Sequence, residues 1–211
     1  MLNSPNNDWT FTQVPDGFDE HVRKQLPWYD FATNCVAFLA RHYLPTRGGV
    51  LYDIGASTGN MTKALADTIE QRCVRCISVE ENEDMADQFR GIGELIAQPV
   101  QDISIEEFDV AIIFLTLMFV PYSKREQVMA NLKAKMRKGG AIIIVDKVAD
   151  EGGYLGVCLR RLTLFWKSFS GVAADDIVEK EISLAGVQRP SNREGKLFLK
   201  FGEFEGWIIE G

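Results

Sequence analysis

Val50-Leu51-Tyr52-Asp53-Ile54-Gly55-Ala56-Ser57-Thr58-Gly59-Asn60-Met61-Thr62 is the stretch that decides the fold. An apolar run reaches an aspartate, passes through a glycine-rich turn and enters helix-forming residues, which predicts a strand, a ligand loop and a helix start. Glycines at 55 and 59 let the backbone turn tightly and let a ligand come close, while the N–H groups opening the next helix offer donors to a polar group. A second acid, Glu80, closes the next apolar run, Val74 to Val79. In a doubly wound sheet, ligands sit beyond the carboxyl ends of the strands. An acid ending the second strand is therefore placed to hold the two hydroxyls of a ribose.

Three readings of the loop compete. A dinucleotide site uses G-x-G-x-x-G; here the spacing is G-x-x-x-G. Asp53, two residues before the first glycine, would repel a pyrophosphate but welcome an ammonium or sulfonium group. The same residues satisfy G-x-S-x-G, the nucleophile elbow of α/β-hydrolases, in the strand-turn-helix context that the motif requires. Its acid and histidine partners should follow the serine, yet both histidines of the chain, His21 and His42, precede Ser57. The third reading is S-adenosylmethionine, with Asp53 near the methionine ammonium, the Gly55 to Gly59 turn under the ligand, and Glu80 on the adenosine ribose. The plain structural alternative has the acids capping strand ends and the glycines making a turn; the order of elements downstream weighs against it.

The 211 residues suffice for one domain with a large core, and no linker divides them. A hydrophobic fraction of 46% and a charged fraction of 25% are those of a soluble globular protein. The longest apolar run, Val110 to Val120, is shorter than the roughly 18 residues of a membrane span, and the polar start has no basic leader region. The expectation is a cytoplasmic protein without membrane contact. A formal net charge of -7 argues against broad nucleic-acid binding, which depends on Lys and Arg neutralising phosphates. Lys133, Lys135, Arg137 and Lys138, and later Arg160, Arg161 and Lys167, read as solvated faces and helix-end charges. The four cysteines form no disulfide framework. Cys73-Val-Arg-Cys76 has redox or metal spacing, but residues three apart on a strand face opposite ways and no second pair completes a zinc site. No metal is expected, and Cys35 and Cys158 read as core packing.

Along the chain, an irregular arm leads to a short helix near Phe18 to Gln25. Asp30 to Leu44 reads as a helix with Phe31, Cys35, Phe38, Leu39 and Tyr43 on its apolar face. Strands at Val50 to Ile54, Val74 to Glu80, Leu95 to Ala97, Phe108 to Leu115 and Ala141 to Asp146 then alternate with helices at Asn60 to Glu70, Glu83 to Phe89 and Lys124 to Arg137. This alternation predicts βαβ units on a parallel buried sheet, and Lys138-Gly139-Gly140 reads as a helix C-cap. Helices around Tyr154 to Phe169 and Asp175 to Leu184 precede Leu197 to Phe201 and Gly206 to Ile209, a predicted antiparallel hairpin joined by Gly202 to Glu205. The expected fold class is α/β: a Rossmann-like, doubly wound, mostly parallel sheet ending in an antiparallel hairpin, with an N-terminal helical extension. Residues 1–47 form an arm and helices over the site, and residues 48–211 form the ligand-binding unit of one structural domain.

These ordered motifs resemble the class I S-adenosylmethionine-dependent methyltransferases from about Trp9 onward, and within them the carboxy-S-adenosylmethionine synthases, which serve wobble-uridine modification of bacterial tRNA. Asp8-Trp9-Thr10-Phe11 and Phe18-Asp19-Glu20-His21-Val22 are similar to the D-W-T-F and F-D-E-x-V of that group, and Pro27-Trp28-Tyr29 to its P-G-Y, whose tyrosine reaches the cofactor. Asp53 to Gly59 is similar to D-L-G-x-S-x-G, Thr116-Leu117-Met118-Phe119 to T-L-Q-F, and Gly139-Gly140 with Lys147 to G-G and S-E-K. Gly171, Glu181, Ile182 and Ser183 fall in a stretch like its late helices. The chain departs where Pro99-Val100 replace an acid and an isoleucine near the adenine, and where Phe114 or Leu115 replaces an asparagine ending the fourth strand. The basic segment that holds the extra carboxylate lies where this chain is shortened, leaving Arg189 and Arg193 as neighbours without a one-to-one match. Bidentate charge-assisted pairs discriminate such a carboxylate, so ordinary methyl transfer is the leading expectation. Carboxy transfer to the cofactor is the alternative, and a non-catalytic cofactor- or partner-binding protein of the same fold is the third reading.

The resemblance and the strand-tip geometry together imply Tyr29, Asp53, Gly55, Ala56, Ser57, Gly59, Glu80, Glu81, Val100 and Leu115 as residues around S-adenosylmethionine or its carboxylated form. His21, Asp30, Arg189 and Arg193 are the candidates for a catalytic part at the mouth. The expected partner is a small-molecule or nucleoside substrate, and the resemblance implies a homodimer.

Overall fold

The computed structural model describes residues 17–149 and 152–211. The Asp8 to Phe11 motif and most of the expected N-terminal arm lie outside the described residues. Two helices, α1 (Phe18–Gln25) and α2 (Tyr29–Tyr43), precede the alternating region. It runs β1 (Val50–Ile54), α3 (Asn60–Ala64), α4 (Ala66–Arg72), β2 (Arg75–Val79), α5 (Glu83–Asp87), β3 (Glu94–Ile96), β4 (Phe108–Phe114), α6 (Tyr122–Lys135) and β5 (Met136–Lys147). Helices α7 (Gly153–Phe169) and α8 (Ala174–Ser183) lead to β6 (Lys196–Phe201) and β7 (Phe204–Glu210).

The seven strands form one sheet in the order β3-β2-β1-β4-β5-β7-β6. Strands β1 to β5 pair in parallel, with Tyr52 opposite Ile77 on one side and Ala111 on the other. β7 pairs antiparallel with β5, placing Trp207 against Ile144, and β6 closes the edge as an antiparallel hairpin. Its turn is Gly202-Glu203; Phe204 and Glu205, expected in the loop, belong to the strand.

The central strands are buried on both faces, as a parallel sheet between helices requires. Leu51, Val110, Ile112, Ile143 and Val145 share one core with the inner residues of α2, while Tyr52, Ile54, Ala111, Ile142 and Ile144 share the other with Val128 and Leu132 of α6. The strand pleat thus feeds two cores from one sheet.

Four local expectations are corrected. The buried face of α2 is Ala32, Thr33, Val36, Ala37 and Ala40, whereas Phe31 and Phe38 are exposed. Small side chains let this helix lie close on the sheet, so the large aromatics do not mark its inner face. The Asn60 to Glu70 helix is two helices meeting at Leu65. Gly139 and Gly140 do not cap α6, which ends at Lys135; they lie in β5, where the register with β4 shifts, and Gly139 has φ 80°. Extra backbone at such a bulge needs the conformations glycine supplies. Cys35 and Cys158 are half-buried rather than core residues, and the four cysteines are free thiols.

Candidate functional site

The carboxyl tips of β1, β2, β4 and β5 open into one large cleft, closed on the far side by α1, the start of α2, α7 and α8. It is the place where a doubly wound sheet binds ligands, and its empty volume, mouth included, is about 1480 Å³.

The loop after β1 forms one wall. Gly55 has φ 74°, and a Cβ there would stand 2.1 Å from Oγ1 of Thr116, so only glycine fits. That hydroxyl donates to the carbonyls of Ile54 and Phe114, each at 3.0 Å, and ties the tips of β1 and β4. Gly59 has φ 85° and abuts the Gly91 backbone; it shapes the turn without lining the cleft. Ala56 and Ser57 line the cleft, and Ser57 holds a left-handed φ of 51° with its Oγ buried and without a hydrogen bond among the described residues.

Asp53 is 2% exposed, and its Oδ2 makes no hydrogen bond among the described residues. Burial, reinforced by the charge of Glu80, pushes its pKa up to about 7. A buried acceptor without a donor, at the wall of a cleft, is an arrangement that a cationic ligand completes. Glu80, at the tip of β2, accepts the backbone N–H of Ser57 at 2.8 Å on Oε2 and that of Asn82 at 3.0 Å on Oε1. These bonds fix the carboxylate and leave each oxygen a further lone pair for a pair of hydroxyls. Burial raises its pKa while the two backbone N–H groups oppose that shift.

Glu81, Val100 and Leu115 also line the cleft. Burial and Asp102 raise the pKa of Glu81. Leu115 has φ 57°, and its N–H donates to the Val145 carbonyl at 2.7 Å, so backbone strain sits where β4 meets the cleft. Tyr29 is buried at the start of α2, lies edge-on to Phe114, and receives a 3.3 Å hydrogen bond from Asn60; burial pushes its pKa up to about 12, which keeps the phenol neutral.

Of the four candidates for the mouth, only His21 lines the cleft. Its Nε2 lies 3.0 Å from Nζ of Lys180, and burial together with Lys180 and Lys24 pushes its pKa down to about 4. Asp30 is instead held on the outer surface by Arg23, whose Nε–H is shared between its two carboxylate oxygens, because its place on α2 points it back toward α1. Arg193 pairs with Glu205 at 2.6 Å on the hairpin side, and Arg189 is exposed; neither lines the cleft.

Three further features bear on the cleft. Asp19 of α1 accepts hydrogen bonds from Thr58 at 2.7 Å and Asn60 at 2.8 Å, latching the N-terminal helix onto the glycine loop. Asp146, which is fully buried, accepts from the Met118 N–H and the Ser191 hydroxyl, both at 2.8 Å, while Arg125 donates to the carbonyls of Met118, Val120, Arg189 and Pro190. The acid that closes the fifth apolar run was a visible signal for Asp146; nothing local marks Arg125. Lys167, expected on a solvated face, is 6% exposed, lines the cleft and donates to Glu181 at 2.7 Å. Among the described residues, no group of three or more His, Cys, Asp or Glu side chains could hold a metal, and no helix is long and apolar enough to cross a membrane.

Residues 52–144 match the family model described as a methyltransferase domain. The chain is 26% identical over 214 residues to the carboxy-S-adenosyl-L-methionine synthase of Staphylococcus epidermidis, covering 95% of this chain and 92% of that protein. It is equally 26% identical over 198 residues to the protein of the same name from Shewanella sediminis, covering 89% and 81%. A solved structure of a proposed S-adenosyl-L-methionine-dependent methyltransferase from Methanococcus maripaludis superposes over 99% of this chain and 97% of its own, with a TM-score of 0.57 and 15% identity. DesVI of Streptomyces venezuelae gives 0.50 over 65% of this chain and 61% of its own, at 18% identity. The Rossmann-like fold and the resemblance expected from the motifs both hold.

Proposed function

With a methyltransferase domain across its central strands, we propose that this protein is an S-adenosylmethionine-dependent methyltransferase acting on a small molecule or a modified nucleoside. The observation that carries the reading is the buried Oδ2 of Asp53, without a hydrogen-bond partner among the described residues, in the same cleft as the strand-tip carboxylate of Glu80. One suits a cationic end of a nucleoside ligand and the other its ribose.

When bound, the cofactor supplies a methyl group activated by an adjacent sulfonium. Transfer is an in-line displacement with a good leaving group, so the protein's part is to hold two reactants in near-attack geometry and keep water out. Asp53 and the Gly55 to Ser57 turn would hold the methionine end, Glu80 the ribose, and Glu81 with Val100 the adenine side. Tyr29 and Leu115, which both line the cleft, would flank the reacting centre. His21, neutral at ordinary pH, and Lys180 stand on the roof formed by α1 and α8. Isothermal calorimetry with S-adenosylmethionine tests the reading, and no binding by folded protein at millimolar ligand rejects it.

A second reading is carboxy transfer onto the cofactor itself. Its support is the 92% coverage of a relative bearing the carboxy-S-adenosyl-L-methionine synthase name. Against it stand Arg189 and Arg193, which lie outside the cleft. Mass spectrometry of the copurifying nucleoside separates the two: a carboxylated cofactor favours this second activity, and unmodified cofactor alone favours methyl transfer.

A further inference from the structure

Three ammonium groups meet at the end of the cleft away from Glu80. Lys147 closes β5, Lys167 lies near the end of α7, and Lys180 comes from α8. In the sheet, β5 stands two places from β1 on the side opposite β2, so this end is separated from the ribose-side acid by the tips of β1 and β4.

Glu181 is the carboxylate that all three lysines share. Burial alone would raise its pKa, but its hydrogen bond with Lys167 and the charges of Lys167, Lys147 and Lys180 hold it below the ordinary range. Lys147 has only a neutral hydrogen-bond partner among the described residues, the side-chain oxygen of Gln188 at 3.3 Å. Lys167 is 6% exposed, and His21, beside Lys180, contributes no negative charge. Cations gathered in a partly desolvated pocket are stabilised by an anion brought to them, and such clusters are places where charged ligands dock.

Building on the transferase reading, we propose that the β5–α7–α8 end of the cleft is an oxyanion subsite. There Lys147 and Lys167, with Gln188 alongside, seat a carboxylate or phosphate of the second reactant, which makes the acceptor an anionic small molecule. The position suits an acceptor rather than the nucleoside, because the glycine loop and Glu80 occupy the opposite end. Lys180 adds charge that is sensitive to pH: burial and Lys167 push its pKa down to about 8.

The test uses the full chain saturated with S-adenosylhomocysteine and titrated with malonate or with inorganic phosphate, read as the rise in melting temperature. Wild type and Lys147→Arg should be stabilised by at least one of the two anions, the better one telling carboxylate from phosphate; Lys147→Gln should lose most of that rise. An equal rise in wild type and Lys147→Gln overturns the subsite. Calorimetry with S-adenosylmethionine is the second arm. Affinity within about twofold of wild type is expected for Lys147→Gln, and a loss of tenfold or more overturns the proposal by assigning the lysine to the cofactor's own carboxylate. Should wild type bind no S-adenosylmethionine at all, the transferase reading itself fails, a result distinct from either of the others.

Discussion

The backbone N–H of Ser57 donates to Oε2 of Glu80 at 2.8 Å, joining the loop after β1 to the tip of β2. Through this bond the acid is both part of the scaffold of the glycine loop and a lining residue of the cleft. Glu80→Ala should therefore do two things at once: weaken S-adenosylmethionine binding at least tenfold and loosen residues 55–59. Hydrogen exchange at the Ser57 amide reads the second effect, and an unchanged exchange rate would show that the bond does not hold the loop.

Gly55 and Gly139 share a left-handed backbone but differ in surroundings. Alanine at Gly55 would meet Thr116 at 2.1 Å, whereas alanine at Gly139 meets nothing within 4 Å among the described residues. The backbone conformation costs about 1–3 kcal/mol at either place, and steric overlap adds about 1–3 kcal/mol at Gly55 alone. Urea denaturation of Gly55→Ala and Gly139→Ala should show the larger loss for the first; equal losses would mean that Thr116 moves aside freely.

Asp53 predicts an opposite pH response in the free and the ligated protein. Its folded pKa of about 7 lies above the ordinary carboxylate value of 3.8, so the folded state binds more protons between these values. Its contribution to stability is then full below about pH 4 and is lost as pH rises through 7, at about 1.4 kcal/mol per pKa unit. Asp53→Asn should raise the unfolding free energy of the ligand-free protein at pH 8 and make little difference at pH 4. Affinity for a cationic nucleoside should instead rise from pH 5.5 to 7.5 in wild type, because the ionised carboxylate is the form that binds, and stay flat in Asp53→Asn. Denaturation and calorimetry across that range check both signs.

Asp19 connects α1 to the loop through Thr58 and Asn60. Hydrogen bonds to a charged acceptor contribute about 1.5–3 kcal/mol each when partly shielded. Asp19→Ala should weaken cofactor binding more than it lowers the melting temperature, since α1 lines the cleft with Phe18, His21, Val22 and Gln25 and touches the core through Val22. A large drop in melting temperature with unaltered affinity would make α1 a stability element only.

The strands were legible because each central run is apolar on both faces and ends in a turn residue or an acid. Val50 to Ile54 coincides with β1 to the residue, and Asp53 and Glu80 stand at the strand tips, as the alternation requires. The hairpin followed from two short runs close in sequence. What could not be read locally depends on contact between distant segments. The inner face of α2 is mostly alanine with Thr33 and Val36, small side chains that carry little hydrophobic signal, so the exposed Phe31 and Phe38 misdirect the periodicity. Lys167 looked solvated because nothing near it in sequence shows that Glu181 and the cleft receive it. Asp30 sits beside Tyr29 in the chain, yet one residue along a helix turns a side chain by about a quarter circle, enough to send it to Arg23.

The most direct measurement is calorimetric titration of S-adenosylmethionine into wild type, Asp53→Asn and Glu80→Gln at pH 7.5. The account predicts binding by the wild type, and a loss of about tenfold or more in each folded variant, as removal of a charge-assisted contact implies. Affinity equal to wild type in both variants would contradict the assignment of these two strand-tip acids to the two ends of one cationic nucleoside.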